Sequence, residues 1–129
     1  MKLKKINLII YLSLFLLWGS SGTALAQQGD AKRGQKVFEV CSACHAANGA
    51  SNEVGPSLRG VFGRKAGTLE DFRYSPAMKR SGITWDAQTL AAFIAEPQKV
   101  VPANRMPYDG LPDARARADL LAYLMQQFK

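Results

Sequence analysis

The 129-residue sequence predicts an all-α domain with long irregular loops between its helices. Three observations carry that expectation. No segment alternates apolar and polar residues long enough to read as a strand. Apolar residues recur instead at helical spacing, as in Ala116, Leu120, Leu124 and Phe128. Residues 46–67, "AANGASNEVGPSLRGVFGRKAG", carry five glycines and read as one long loop. Loops beyond about 12–15 residues are uncommon in compact domains unless they wrap something.

The first residues read as a leader rather than as part of the fold. "MKLKK" is basic, residues 6–18 are an apolar run, and "GSSGTALA" ends in an A-x-A arrangement at Ala24 and Ala26. That order is a secretory signal peptide, here residues 1–26 with cleavage after Ala26. The alternative is an uncleaved anchor through residues 6–18, although about 20 apolar residues are needed to span a membrane. The mature domain then runs over residues 27–129 and is exported to the periplasm. Taking Lys2, Lys4 and Lys5 from the 17 Lys and Arg leaves 14 basic residues against 10 acidic ones. So mild an excess suits docking on an acidic protein surface and argues against nucleic acid as a partner. No linker or internal repeat divides these residues.

The helices follow in order. Asp30 caps the first, with Ala31, Gly34, Val37, Phe38 and Cys41 along one face. Gly34 costs a helix about 1 kcal/mol against Ala, so another helix should approach closely there, and the last one is the natural candidate. Ser75, Pro76 and Gly82 bound a short helix. Another follows "GIT", with Thr84 as its cap, Leu90, Phe93 and Ile94 inward, and Pro97 as its stop. The last begins near Asp113, with Asp113–Arg117 and Arg115–Asp119 as pairs at (i, i+4).

"CSACH" holds both cysteines, Cys41 and Cys44, and the only histidine, His45. Export makes a disulfide one reading of the pair. A zinc site is another, although a closed one takes four ligands. C-x-x-C-H as a whole is the signature of covalent haem attachment. Two thiols nearly one helical turn apart can reach one porphyrin edge, and His45 follows at once as an axial nitrogen. One motif means one haem c.

A second axial ligand has to come from a methionine, since no other histidine exists. Met125 lies in a helical stripe and Met78 in a short helix, where packing explains both. Met106 lies in "VVPANRMPYDGLP", an extended loop in which a methionine needs something apolar to cover it. Met106 is therefore the expected ligand, with an open or lysine-ligated iron as the alternative.

Several further blocks resemble the class I cytochromes c, specifically the small exported bacterial type close to mitochondrial cytochrome c. They are "GDAKRGQKVFEVCSACH", "VGPSLRGVFGRKAG", "YSPAMKRSGITWD", "NRMPYDGL" and "RADLLAYL", in the family's order and spacing. The resemblance implies crossed N- and C-terminal helices, with loops and short helices around one haem held by Cys41 and Cys44. It implies His45 as proximal ligand, Met106 as distal ligand, and the Pro56 carbonyl on the other ring nitrogen of His45. It places Arg64, Tyr74, Trp85 and Asn104 at the haem propionates, and Gly34, Phe38, Leu120 and Tyr123 at the helix crossing. Phe93 stands where a tyrosine is common and Met78 where an asparagine is. "PANRM" lacks the usual Pro-Gly step.

The function expected is one-electron carriage by a monomer that is not itself an enzyme. Partners of the implied kind are a quinol–cytochrome c oxidoreductase, a terminal oxidase or a periplasmic dehydrogenase. Lys36, Lys65, Lys79, Lys99 and Arg105 are candidate rim charges for steering them. Two competing readings are a tightly bound electron-transfer subunit of an exported oxidoreductase and a ligand-sensing haem protein with a labile Met106. No second histidine, paired carboxylates in a cleft or phosphate loop points to hydrolytic or transfer catalysis.

Overall fold

Asp30 opens helix α1 (Ala31–Cys41) by accepting a hydrogen bond from the Arg33 N–H at 2.9 Å. The computed structural model describes residues 28–129, so the leader lies outside the described residues. Four more helices follow: α2 (Pro76–Arg80), α3 (Ala87–Ala95), α4 (Pro97–Val100) and α5 (Ala114–Gln127). Among the described residues no strand forms. One isolated antiparallel bridge joins Lys65 and Thr84. No described helix is long and apolar enough to cross a membrane.

Helices α1 and α5 cross at Gly34, against Asp119 and Tyr123. A Cβ on Gly34 would overlap the Asp119 carbonyl, so only glycine permits this approach. Phe38 then meets Leu120, Leu124 and Phe128 in one buried cluster, with its ring 5.3 Å from those of Tyr123 and Phe128. Asp119 reinforces the crossing. Its carboxylate accepts from Arg33 Nε at 2.7 Å, Arg33 Nη2 at 2.8 Å and the Asp30 N–H at 2.7 Å. The expected Arg115–Asp119 and Asp113–Arg117 pairs do not form. Asp113 caps the Ala116 N–H, and Arg117 donates to the carbonyls of Leu111 and Pro112. The carbonyls just before α5 are closer to Arg117 than its helical neighbour, and they need donors.

The cap of α3 also differs from the expected Thr84. Asp86 caps it, accepting from the Thr89 N–H at 2.7 Å, while Thr89 Oγ1 accepts from the Asp86 N–H at 2.8 Å. This is a reciprocal capping box. Thr84 is drawn instead into the bridge with the long loop. Pro97 ends α3 and also opens α4 as its first residue, where its missing N–H is not needed. Ser75 caps α2 as expected. A second buried cluster gathers Val61, Ala66, Met78, Trp85, Leu90, Phe93 and Val101 from α2, α3 and the loops.

The long loop is ordered by its own hydrogen bonds. Gly55 N–H donates to the Cys44 carbonyl at 2.7 Å, Gly60 N–H to the Phe128 carbonyl at 3.0 Å, and Ala66 N–H to the Ile83 carbonyl at 2.8 Å. It therefore ties the end of α1 to the end of α5 and to the approach to α3. Phe62, Ile94 and Leu121 bridge the two clusters, and residues of both line a hollow beside that bridge, which is the site.

Candidate cofactor site

Cys41 ends α1, and the chain continues in one more turn. The N–H groups of Cys44 and His45 both donate to the Cys41 carbonyl, at 3.1 and 2.9 Å. That turn sets Cys41, Cys44 and His45 along one wall of a cavity of about 490 Å³. Both thiols are free and half-buried, so no disulfide joins them. Among the described residues no group of three His, Cys, Asp or Glu side chains is arranged to hold a metal ion, which leaves the zinc reading without a site. Burial pushes the Cys41 thiol up.

His45 is oriented by one bond. Its Nδ1 lies 2.7 Å from the Pro56 carbonyl oxygen, which can only accept, so Nδ1 carries the proton and Nε2 keeps its lone pair. Burial lowers the His45 pKa, against the opposing effect of Pro56. A neutral ring with a free Nε2 is the form that can bind a metal. Gly55 packs against the ring: a Cβ there would lie 2.6 Å from His45 Cε1. Sequence reasoning passed over Gly55. Its only signal was its place between Val54 and Pro56.

Met106 lines the same cavity from the loop between α4 and α5. Its N–H donates to Asn104 Oδ1 at 2.8 Å. Asn104 does not take the place expected of it. Its Nδ2 donates to the carbonyls of Pro97 and Val101, both at 2.9 Å, and the residue is not among those lining the cavity. Its amide is fully used in folding the methionine loop. Gln98, unnoticed in the sequence, braces that loop from α4.

Arg64, Tyr74 and Trp85 do line the cavity. Arg64 donates to the carbonyls of Arg59 at 2.9 Å and Ser57 at 2.7 Å. The ion pairs of the described residues are Arg33–Asp30, Arg33–Asp119 and Lys99–Glu96, so no carboxylate there neutralises Arg64. Burial lowers the Arg64 pKa and raises that of Tyr74, with each moderating the other. A half-buried guanidinium without a counter-ion invites an anionic ligand group. Trp85 is buried with its ring 5.1 Å from Phe93, and Phe93 and Met78 fill the wall beside it. Of the expected rim charges, only Arg105 lines the cavity. Arg73 joins it, and Lys99 pairs with Glu96 at 2.9 Å.

The cavity fits a large flat apolar group with an anionic edge. Its volume falls in the roughly 300–1,000 Å³ range of cofactor clefts. Its walls are mostly apolar, so an occupant that covers them removes exposed apolar surface from water. An open surface groove of about 670 Å³ between Gln28 and α5 is larger, but it contains neither cysteine nor histidine.

Two thiols, a neutral imidazole and a thioether around such a cavity define a c-type haem protein. The cytochrome c family model matches residues 31–128, and the chain belongs to that family. It is 52% identical over 99 residues to cytochrome c2 of Rhodoblastus acidophilus, covering 76% of this chain and 92% of that protein. It is 44% identical over 114 residues to cytochrome c2 of Blastochloris viridis, covering 88% of each. Among solved structures, cytochrome cH from Methylobacterium extorquens superposes with a TM-score of 0.72 at 43% identity, covering 76% of this chain and 99% of that one. The fold is thus that of a class I cytochrome c. The chain carries haem c attached through Cys41 and Cys44, and it is an electron carrier rather than an enzyme.

Proposed function

We propose that the mature domain, beginning at Gln27, is a periplasmic one-electron carrier whose haem iron is held axially by His45 and Met106. One observation carries this reading. His45 and Met106, 61 positions apart in the chain, line the cavity that also holds both cysteines, and His45 Nδ1 is already engaged by Pro56. The haem supplies a ferric–ferrous couple, and a thioether opposite a histidine raises its potential. The Pro56 carbonyl holds the imidazole tautomer and strengthens it as a ligand. Arg64, Tyr74 and Trp85 receive the propionate edge, with Arg64 supplying the counter-charge. With His45 and Met106 both holding the iron, the chain would leave no position for a substrate at the metal, and the haem would supply one-electron chemistry.

Contact with partners falls at the cavity mouth. Val40 and Val54 line it and are 66% and 72% exposed, an unusual display for valine. Arg73 and Arg105, also exposed, line the same cavity and supply positive charge there. A redox partner with a small apolar face and acidic surroundings suits this rim, in a small, short-lived complex.

Intact-mass measurement of material recovered from the periplasm tests export and attachment together. The expected mass is that of residues 27–129 plus one haem. A full-length mass, or a chain without the added haem, contradicts the reading. Slow carbon monoxide uptake by the reduced protein is expected when Met106 occupies the iron, and rapid uptake favours the sensing alternative.

A further inference from the structure

The loop that presents Met106 is folded against its own local preference. Val101, Pro102, Ala103 and Asn104 form a turn closed by Asn104 N–H to the Val101 carbonyl at 3.1 Å. Proline stands second, and the third residue has positive φ, the pattern that asks for glycine in third place. Here the third residue is Ala103, with φ of 64°, the sole positive-φ residue other than glycine among the described residues. The turn is therefore strained at Ala103, three residues after the end of α4 and three before Met106.

Two side chains hold it in place. Asn104 is buried and joins three backbone groups: the Pro97 and Val101 carbonyls, which start and follow α4, and the Met106 N–H. Gln98 is exposed on α4 and grips the strained turn from outside. Its Oε1 accepts from the Ala103 N–H, and its Nε2 donates to the Asn104 carbonyl, both at 3.2 Å. These are long bonds, within the accepted range for N–H···O only at its upper end. They nonetheless satisfy both backbone groups that the left-handed turn would otherwise offer to water.

We propose that Gln98 and Asn104 are positioning residues that clamp the strained Ala103 turn closed and thereby set how tightly Met106 holds the iron. This rests on the ligand assignment of Met106 above. Asn104 fixes the backbone from which Met106 projects. Gln98, lying outside the core, sets how often that backbone lets go. The clamp and the strain oppose each other, so the loop sits closer to opening than a glycine turn would. Neither residue touches the haem cavity, since neither is part of its lining.

The test uses oxidised holoprotein and exogenous imidazole, which can bind iron only when Met106 has left it. The far-red sulfur-to-iron band is recorded first in the parent protein; its absence there overturns the ligand assignment and the clamp with it. With the band present, Gln98→Ala is expected to bind imidazole about five- to tenfold faster, the size of losing two weak neutral hydrogen bonds. Combining it with Ala103→Gly should return the rate towards the parent value, because strain and clamp are removed together. Asn104→Ala should have the larger effect. Where it fails to fold, the Gln98→Ala pair decides. A purely structural role would lower the melting temperature and leave imidazole binding at 25 °C unchanged. Unchanged binding in Gln98→Ala, or no rescue by Ala103→Gly, overturns the clamp while leaving Met106 as the ligand.

Discussion

Asp119, on α5, accepts two hydrogen bonds from the Arg33 guanidinium on α1, at 2.7 and 2.8 Å, while its own backbone carbonyl lies where a Gly34 side chain would be. One residue thus sets both the spacing and the charge of the helix crossing. The Arg33 bonds come first among the causes that hold its carboxyl below the ordinary value of 3.8, followed by the Asp30 N–H. A carboxylate depressed in the folded state stabilises above its unfolded pKa, and that contribution is lost as pH falls through the folded one. Asp119→Asn should therefore melt at a lower temperature than the parent at neutral pH, with the gap closing below about pH 4. Melting curves across that range check it. A gap constant from neutral to strongly acid conditions would remove the ion pair from the account.

Gly55 is buried against the His45 ring, and a side chain there is expected to be costly. With a Cβ at 2.6–2.9 Å from three atoms of the His45 ring, either the imidazole or the Gly55–Pro56 backbone has to shift. Gly55→Ala should destabilise the holoprotein by about 1–3 kcal/mol, the usual cost of overpacking. It should also lengthen the bond to Pro56 and change the midpoint potential. Pro56→Ala, which keeps the carbonyl, should change the potential less. Equal effects from the two variants contradict this division of roles.

Phe62, Ile94 and Leu121 pack against both buried clusters, but residues of both clusters also line the cavity, so the core is incomplete without its occupant. Replacing both Cys41 and Cys44 with alanine should leave a chain that retains little haem and lacks cooperative unfolding. Circular dichroism with thermal melting reads this out. A sharp transition near the parent temperature in haem-free material would show that the protein core suffices without the cofactor.

Ala103→Gly alone should stabilise the holoprotein. Relief of a left-handed alanine is worth about 1–2 kcal/mol, less the greater freedom glycine has when unfolded, up to ~1 kcal/mol. A net gain of about 1 kcal/mol or less is expected in urea unfolding. A lower midpoint would mean that the turn is not strained in solution.

The helices were legible because their signals are local. Asp30 and Ser75 cap where the sequence places them, α5 starts beside Asp113 as expected, and Leu120, Leu124 and Phe128 of the predicted stripe are buried. Gly34 was legible for a different reason: a helical glycine has a cost that only close approach explains. Thr84 misled because two good caps stand two residues apart, and the choice of Asp86 depends on Thr84 pairing with the distant Lys65. The pairs expected at (i, i+4) failed because other partners stood closer: Asp119 finds Arg33 across the crossing, Asp113 caps Ala116, and Arg117 turns to the Leu111 and Pro112 carbonyls. The spacing of Cys41, Cys44 and His45 and the loop setting of Met106 singled out four residues that the fold brings to the wall of one cavity. Asn104 and Gln98 were not legible as a clamp. Their bonds go to backbone atoms whose positions depend on the turn at Ala103, and no residue pattern encodes that geometry.

The most direct test is the far-red absorption of the oxidised holoprotein at neutral pH, compared across Met106→Ala, Met78→Ala and Met125→Ala. A weak sulfur-to-iron band in the parent, lost only in Met106→Ala, is the predicted result. A parent without the band, or a band that survives in Met106→Ala, would contradict the axial pair on which the account is built.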